Sequence, residues 1–282
     1  MIRFSETLYE CWGQFFEVSR TLYRERTEHQ DLVIFEAPEL GRVLALDGAI
    51  QVCEADEFTY HEMLAHVPIF AKGDVRSVLV IGGGDGGLLR EVLKHPVERA
   101  VMVEIDRKVI DLCTQYLPSI SAGAFDDPRA EVIIADGVRF VAEDTRQFDV
   151  IVVDSTDPIG PSECLFSEAF YADCAKRLTP GGILVTQNGV PFMQPEELRS
   201  TYRKMKPLFK DAGFFVAAVP TYIGGLMTLA WGTNEPANRK QTVTTITERF
   251  SAAGIETRYY TPDVHVASFA LPRYVQSLMD DI

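Results

Sequence analysis

The stretch "SVLVIGGGDGGLLREVLKH", residues 77–95, constrains this chain more than any other. An apolar run of strand length passes into a six-residue turn that holds five glycines, and then into a helical segment. A strand that is apolar at consecutive positions is buried on both faces, so helices must cover both sides of its sheet. The same alternation continues downstream. "RAVMVEID" reads as a second strand, followed by a helix over residues 107–116. "AEVIIADG" and "FDVIVVDS" read as a third and a fourth strand, and "GGILVTQ" as a fifth after a helix near residues 167–178. "GFFVAAVPT" and "GGLMTLAWGT" read as a closing antiparallel pair. This order predicts an α/β domain with a mostly parallel, Rossmann-like sheet.

The first 55 residues differ. "LVIFEAPELGRVLALDGAIQVCE" alternates short apolar runs with Pro38, Gly41 and an Asp47-Gly48 turn, which predicts a small antiparallel β domain. The expected division is residues 1–55 for this domain and 56–282 for the catalytic domain. "DEFTYHEMLAHVPIFA" then reads as a helix that Pro68 ends.

In a parallel sheet of this kind, ligands bind beyond the carboxyl ends of the strands. Acids stand at four successive ends: Asp85; Glu104 and Asp106; Asp136; and Asp154 and Asp157. Turn chemistry and helix capping explain one such acid, and Asp106 above all. Four ends with the same charge describe a cleft that grips hydroxyls and positive charge. The turn fits G-x-G-x-x-G through Gly82, Gly84 and Gly87, and also G-x-G-x-G through Gly82, Gly84 and Gly86, so it leaves the cofactor class open. Glu104 suits ribose hydroxyls in either case. Asp85 argues against a diphosphate, which would meet a like charge there with no Lys or Arg in the turn. An adenosyl sulfonium compound fits better. "LTPGG", residues 178–182, points to a class I methyltransferase-like fold. A donor that keeps its amine but has lost its carboxylate would suit Asp85 best.

The net charge of -14 argues against nucleic acid and anionic membrane surfaces as partners. Cys11, Cys53, Cys113, Cys164 and Cys174 are odd in number and widely spaced, with no C-x-x-C. A disulfide framework or structural zinc site is not expected, and the compartment expected is the reducing cytoplasm. "HEMLAH" places His61 and His66 five apart, where a zinc-binding helix needs four, so no metal is expected. His95, just before Pro96, reads as a cap or a solvent-facing residue. Phe58 and Trp12 read as core residues.

The motifs "GGGDGGLLREV", "VEID", "ADG", "DSTDPIGP" and "PTY" together resemble the polyamine aminopropyltransferase family, in its bacterial spermidine synthase branch. "HQDL", "LDGAIQ", "DEFTYHEM" and "RYYTPDVHVASFALP" extend the resemblance over nearly the whole chain. The resemblance implies aminopropyl transfer from decarboxylated S-adenosylmethionine, a cosubstrate rather than a cofactor, to putrescine. It implies that Gln30, Glu104, Asp136, Gly137 and Pro161 contact the nucleoside part, and that Asp85 holds the aminopropyl amine. His61, Asp154, Asp157, Tyr60 and Tyr222 would line the polyamine channel, with Gln51 as a neighbour. Asp154 would accept the proton and Asp157 position the amine; their spacing alone allows the reverse. The family also implies a homodimer and a loop that orders over the site. An amine N-methyltransferase, a silent nucleoside-binding scaffold and a nicotinamide dehydrogenase are the rival readings.

Overall fold

The computed structural model describes residues 2–27, 29–158 and 160–280, and the side chains of residues 160 and 161 lie outside that description. The chain opens with a two-stranded ribbon, β1 (Ile2–Ser5) and β2 (Phe15–Val18). An antiparallel sheet follows, formed in order by β3 (Arg20–Arg26), β4 (Asp31–Ala37), β5 (Gly41–Leu46) and β6 (Ala49–Cys53). Asp47 and Gly48 join β5 to β6 with φ of 49° and 81°. Positive φ at both central residues makes the tight turn whose twist matches a hairpin.

Then come α1 (Glu57–Lys72), β7 (Ser77–Gly82), α2 (Gly87–Leu93), β8 (Arg99–Glu104), α3 (Arg107–Tyr116), α4 (Pro118–Ser121) and β9 (Ala130–Ile134). The remainder is α5 (Gly137–Glu143), β10 (Phe148–Asp154), α6 (Glu168–Lys176), β11 (Leu178–Gln187), α7 (Pro195–Met205), β12 (Asp211–Ala217), β13 (Met227–Thr233), α8 (Val243–Ala253), α9 (Pro262–Ser268) and α10 (Arg273–Asp280). The large sheet has the order β12-β13-β11-β10-β7-β8-β9. Its neighbours from β11 to β9 pair in parallel, and β13 pairs antiparallel to both β11 and β12. The chain builds outward from β7 to β8 and β9, then returns to the other side of β7 with β10. That reversal opens a crevice at the carboxyl ends of β7 and β10.

Side chains alternate between two cores. Val78, Val80, Val150 and Val152 join one apolar cluster, and Leu79, Ile81, Ile151 and Val153 the other. Period-two alternation with both faces buried explains why these strands read as continuous apolar runs. The small antiparallel sheet packs Leu32, Ile34 and Leu44 against Leu112 of α3, Ile120 of α4 and Leu117 between them, which brings its loops to the crevice.

Three local expectations need correction. Pro68 lies inside α1, which continues to Lys72 and is capped where the Gly73 N–H reaches the Ile69 carbonyl. Ile69, Phe70 and Ala71 are buried, so packing outweighs the hydrogen bond that proline removes. His95 is buried, with Nε2 2.9 Å from Nδ1 of His66 and its ring against Phe70. Trp12 is 44% exposed and meets only the edge of another exposed ring, Phe192, so it is not core. Phe58 is half-buried beneath the Arg258 guanidinium. The five cysteines are free. Among the described residues, no helix is long and apolar enough to cross a membrane.

Candidate active site

The cleft sits where the strand order reverses. It is floored by the turn after β7 and by residues 154–157 after β10, and roofed by residues of the β1–β6 region such as Gln30 and Gln51. The glycines of the turn are required by contact as well as by dihedral. A Cβ on Gly82, whose φ is 83°, would stand 2.1 Å from the Asp154 carbonyl oxygen. The Gly83 N–H donates to that same oxygen at 3.0 Å. The turn and the end of β10 are therefore fastened backbone to backbone, with no room for a side chain between them.

Asp85 leaves this turn and lines the cleft. Its Oδ1 accepts the Gly87 N–H at 2.7 Å and pairs with His61 Nε2 at 3.5 Å. Burial pushes the Asp85 carboxyl up, but the His61 charge outweighs it and holds the group below its usual range. His61, expected among the channel residues, is not among the residues that line the cleft. It is 1% exposed and stands behind Asp85, with Nδ1 2.6 Å from Glu57 Oε2. Its ring packs against the Gly87 backbone, where a Cβ would lie 2.3 Å from the imidazole. Burial would drive the imidazole toward neutrality, but Asp85 and Glu57 outweigh it and keep its pKa well above the ordinary value.

Asp154 closes β10. The Tyr60 hydroxyl donates to its Oδ1 at 2.8 Å, whereas its buried Oδ2 receives no protein donor among the described residues. Burial, reinforced by the Asp85 charge, raises its pKa to about 6 against the opposing influences of His61 and Tyr60. Asp157 takes Gln187 Nε2 at 2.8 Å and Gln194 Nε2 at 3.0 Å, one on each oxygen. Its pKa is also raised, by burial against those two amides. Tyr222 donates to the Gln51 carbonyl at 2.5 Å and sets its ring edge-on to Tyr60 at 5.7 Å.

The other side of the cleft is built from the ends of β8 and β9. Glu104 is buried, and burial lifts its pKa to about 7 although the Asp106 N–H, at 2.8 Å from Oε1, pulls the other way. Asp106 caps α3 through the Lys108 N–H and receives Gln30 Nε2 at 3.3 Å, so it holds a cleft residue from behind. Asp136 caps α5 through the Val138 N–H at 2.8 Å and lines the cleft together with Gly137. Pro161 lies in the 3-10 segment Gly160–Phe166, and its side chain is outside the described residues.

The cleft thus gathers Gln30, Asp85, Glu104, Asp136, Gly137, Asp154, Asp157, Tyr60 and Tyr222, while His61 supports it from behind. Sequence reasoning missed Glu57, Gln187 and Gln194. Glu57 is four residues before His61 on a helix, a spacing that puts the two side chains together. Gln187 ends β11, so the rule that found the acids could have found it. Gln194 reaches the site from a loop and carries no local signal.

Two family models match the chain: the spermine/spermidine synthase domain over residues 57–242 and the spermidine synthase tetramerisation domain over residues 4–54. The chain is 59% identical over 276 residues to polyamine aminopropyltransferase 1 of Pseudomonas aeruginosa, covering 98% of this chain and 96% of that one. It is 55% identical over 278 residues to the polyamine aminopropyltransferase of Yersinia pseudotuberculosis, covering 98% and 94%. A crystal structure of a spermidine synthase in complex with the transition-state analogue AdoDATO superposes with a TM-score of 0.93 at 38% identity, covering 100% of this chain and 96% of that one. The spermidine synthase of Thermotoga maritima gives 0.91 at 37%, covering 100% and 95%.

Proposed function

This chain belongs to the spermine/spermidine synthase family, and from that premise we propose that it moves the aminopropyl group of decarboxylated S-adenosylmethionine to putrescine, giving spermidine and methylthioadenosine. The observation that carries the reading is Asp154: a carboxylate with one oxygen held by Tyr60 and a second, buried oxygen that no donor among the described residues reaches, in the same cleft as Asp85.

The reaction needs an in-line approach of an amine nitrogen to the carbon bonded to the sulfonium. As the new C–N bond forms, the C–S bond breaks and its electron pair goes to sulfur, leaving neutral methylthioadenosine. Asp85 holds the aminopropyl ammonium of the donor. It would repel the carboxylate of intact S-adenosylmethionine, which favours the decarboxylated form. Gln30, Glu104, Asp136, Gly137 and Pro161 are assigned to the nucleoside. Glu104, buried and with Oε1 accepting the Asp106 N–H, is assigned to the ribose hydroxyls.

The nucleophile must first lose a proton. An alkyl amine titrates near ~10.4, so neutralising it at pH 7 costs about 4–5 kcal/mol. An ordinary carboxylate is a poor acceptor for that proton. Raising Asp154 from the usual aspartate value to about 6 narrows the mismatch by roughly 3 kcal/mol. The neighbouring sulfonium disfavours a second positive charge and helps further. Asp154 is therefore the proton acceptor. Asp157, whose oxygens are fixed by two neutral amides, positions the amine, and Tyr60 and Tyr222 wall its alkyl chain. The leaving group is neutral, so the chemistry needs no resident cofactor.

Association of copies, as a homodimer or larger, fits the match of the β1–β6 region to a tetramerisation domain, and Ile2 and Phe15 of β1 and β2 are exposed apolar residues there. The cytoplasm is the compartment assigned.

The test is release of methylthioadenosine from decarboxylated S-adenosylmethionine with a panel of putrescine, cadaverine and spermidine. Release that is fastest with putrescine is expected. No release with any amine, or methyl transfer from intact S-adenosylmethionine instead, overturns the reading.

A further inference from the structure

We propose that Glu57 is a positioning residue for the donor, acting through His61 to orient and charge Asp85. The proposal rests on Asp85 as the seat of the aminopropyl ammonium. Glu57 is 9% exposed and does not line the cleft. Its Oε2 is 2.6 Å from His61 Nδ1, and His61 Nε2 is 3.5 Å from Asp85 Oδ1. Arg90 fixes the far end, with Nη2 2.8 Å from the same Glu57 oxygen and Nη1 on the Ile120 carbonyl. A rigid line therefore runs from α2 through α1 to the Gly-rich turn.

The chemistry of the line follows from its acceptors. Each ring nitrogen of His61 faces a carboxylate oxygen, and carboxylates offer no proton, so both nitrogens carry hydrogen. An imidazolium beside Asp85 alone would cancel the charge that Asp85 offers to a ligand. Glu57 balances that imidazolium from the other side, so Asp85 keeps its pull on the cleft. The ring also cannot turn away, because it is packed on the Gly87 backbone and edge-on to Tyr60 at 5.5 Å. The two donors to Asp85, Gly87 N–H and His61 Nε2, both converge on Oδ1. That sets the plane of the carboxylate at the cleft. Charged groups around the line are Glu57 on α1, Asp85 on the turn, Arg90 and Glu91 on α2, and Asp154 at the end of β10.

The experiment compares two ligands that differ only in the aminopropyl group. Dissociation constants for decarboxylated S-adenosylmethionine and for methylthioadenosine are measured on the full chain, as wild type, Glu57→Gln, His61→Asn and the double variant. Glu57→Gln should weaken donor binding about 10-fold and leave methylthioadenosine within about 2-fold, as for loss of one coupled neighbour. In turnover, the KM for donor should rise while the KM for acceptor stays. The double variant should match His61→Asn alone, because Glu57 acts only through the ring. If Glu57→Gln does not fold, Glu57→Asp, which keeps the charge but withdraws it from Nδ1, should give the same donor-only weakening at about 3-fold. Equal weakening of both ligands, or additive losses in the double variant, overturns the proposal. Absence of aminopropyl transfer by the wild type, with donor still preferred over methylthioadenosine, would instead overturn the assigned reaction.

Discussion

Asp85 and Asp154 are the same residue type, share one cleft and feel each other's charge, yet their surroundings are opposite. Asp85 is held by a charged line, His61 backed by Glu57 and Arg90, and its proton affinity is pulled down. Asp154 is held by a neutral phenol, its other oxygen has no partner among the described residues, and its pKa is pushed up to about 6. Charged support makes a permanent anion, which suits the ammonium anchor proposed for Asp85. Neutral support in a buried site makes a carboxylate that can take a proton. The opposite proton affinities of two identical side chains are thus set by the residues around them.

The largest test of this contrast is Asp154→Asn. Turnover should fall by about 10³-fold or more, the scale of a lost proton acceptor, while donor binding changes little. The sign of the stability change separates catalysis from structure. The folded pKa of Asp154 lies above its unfolded value, so the folded state binds the proton more tightly. Stability therefore falls as pH rises from about 4 to about 6. Above that window asparagine removes the penalty, and the variant should be more stable by on the order of 3 kcal/mol at neutral pH. Thermal melting at pH 5 and pH 8 reads this directly. A destabilised variant at pH 8 would break the comparison.

Asp85→Asn comes next. The KM for donor should rise about 100-fold, the range for loss of one partner of a buried charged pair, with the KM for acceptor within a few-fold. Intact S-adenosylmethionine should gain relative affinity, because the repulsion of its carboxylate is gone. Competition binding with both compounds checks it.

The smallest effect sharpens the acid limb. The free enzyme's kcat/KM should fall tenfold per pH unit below about 6 as Asp154 is protonated. Tyr60 lowers that pKa by its hydrogen bond, so Tyr60→Phe should move the limb to higher pH, with only a few-fold loss at pH 8. A limb that stays in place would assign it to another group.

Much of this site was legible because a parallel sheet delivers its strand ends to one edge. Asp85, Glu104, Asp136 and Asp154 follow apolar runs, and the crevice gathers them all. What the sequence hid was depth. His61 stands among the residues expected in the channel, but it lies one layer behind, and only the closeness of Gly87 explains why. Glu57 was hidden the same way, although its spacing from His61 was visible. Gln194 was illegible, because a loop brings it 37 positions along the chain to Asp157. Pro68 misled because local propensity was read without the packing that overrides it.

The seam between Gly82 and the Asp154 carbonyl has a consequence for what can vary in such an enzyme. It works as a fixed gauge between Asp85 and Asp154, since the turn that carries the one cannot move apart from the strand end that carries the other. In the proposed reaction, any change of acceptor length must therefore be accommodated at the opposite wall, formed by Gln51 of β6, Gln187 at the end of β11 and Gln194 just before α7. A designer seeking a longer amine should leave the glycines alone and recut that wall.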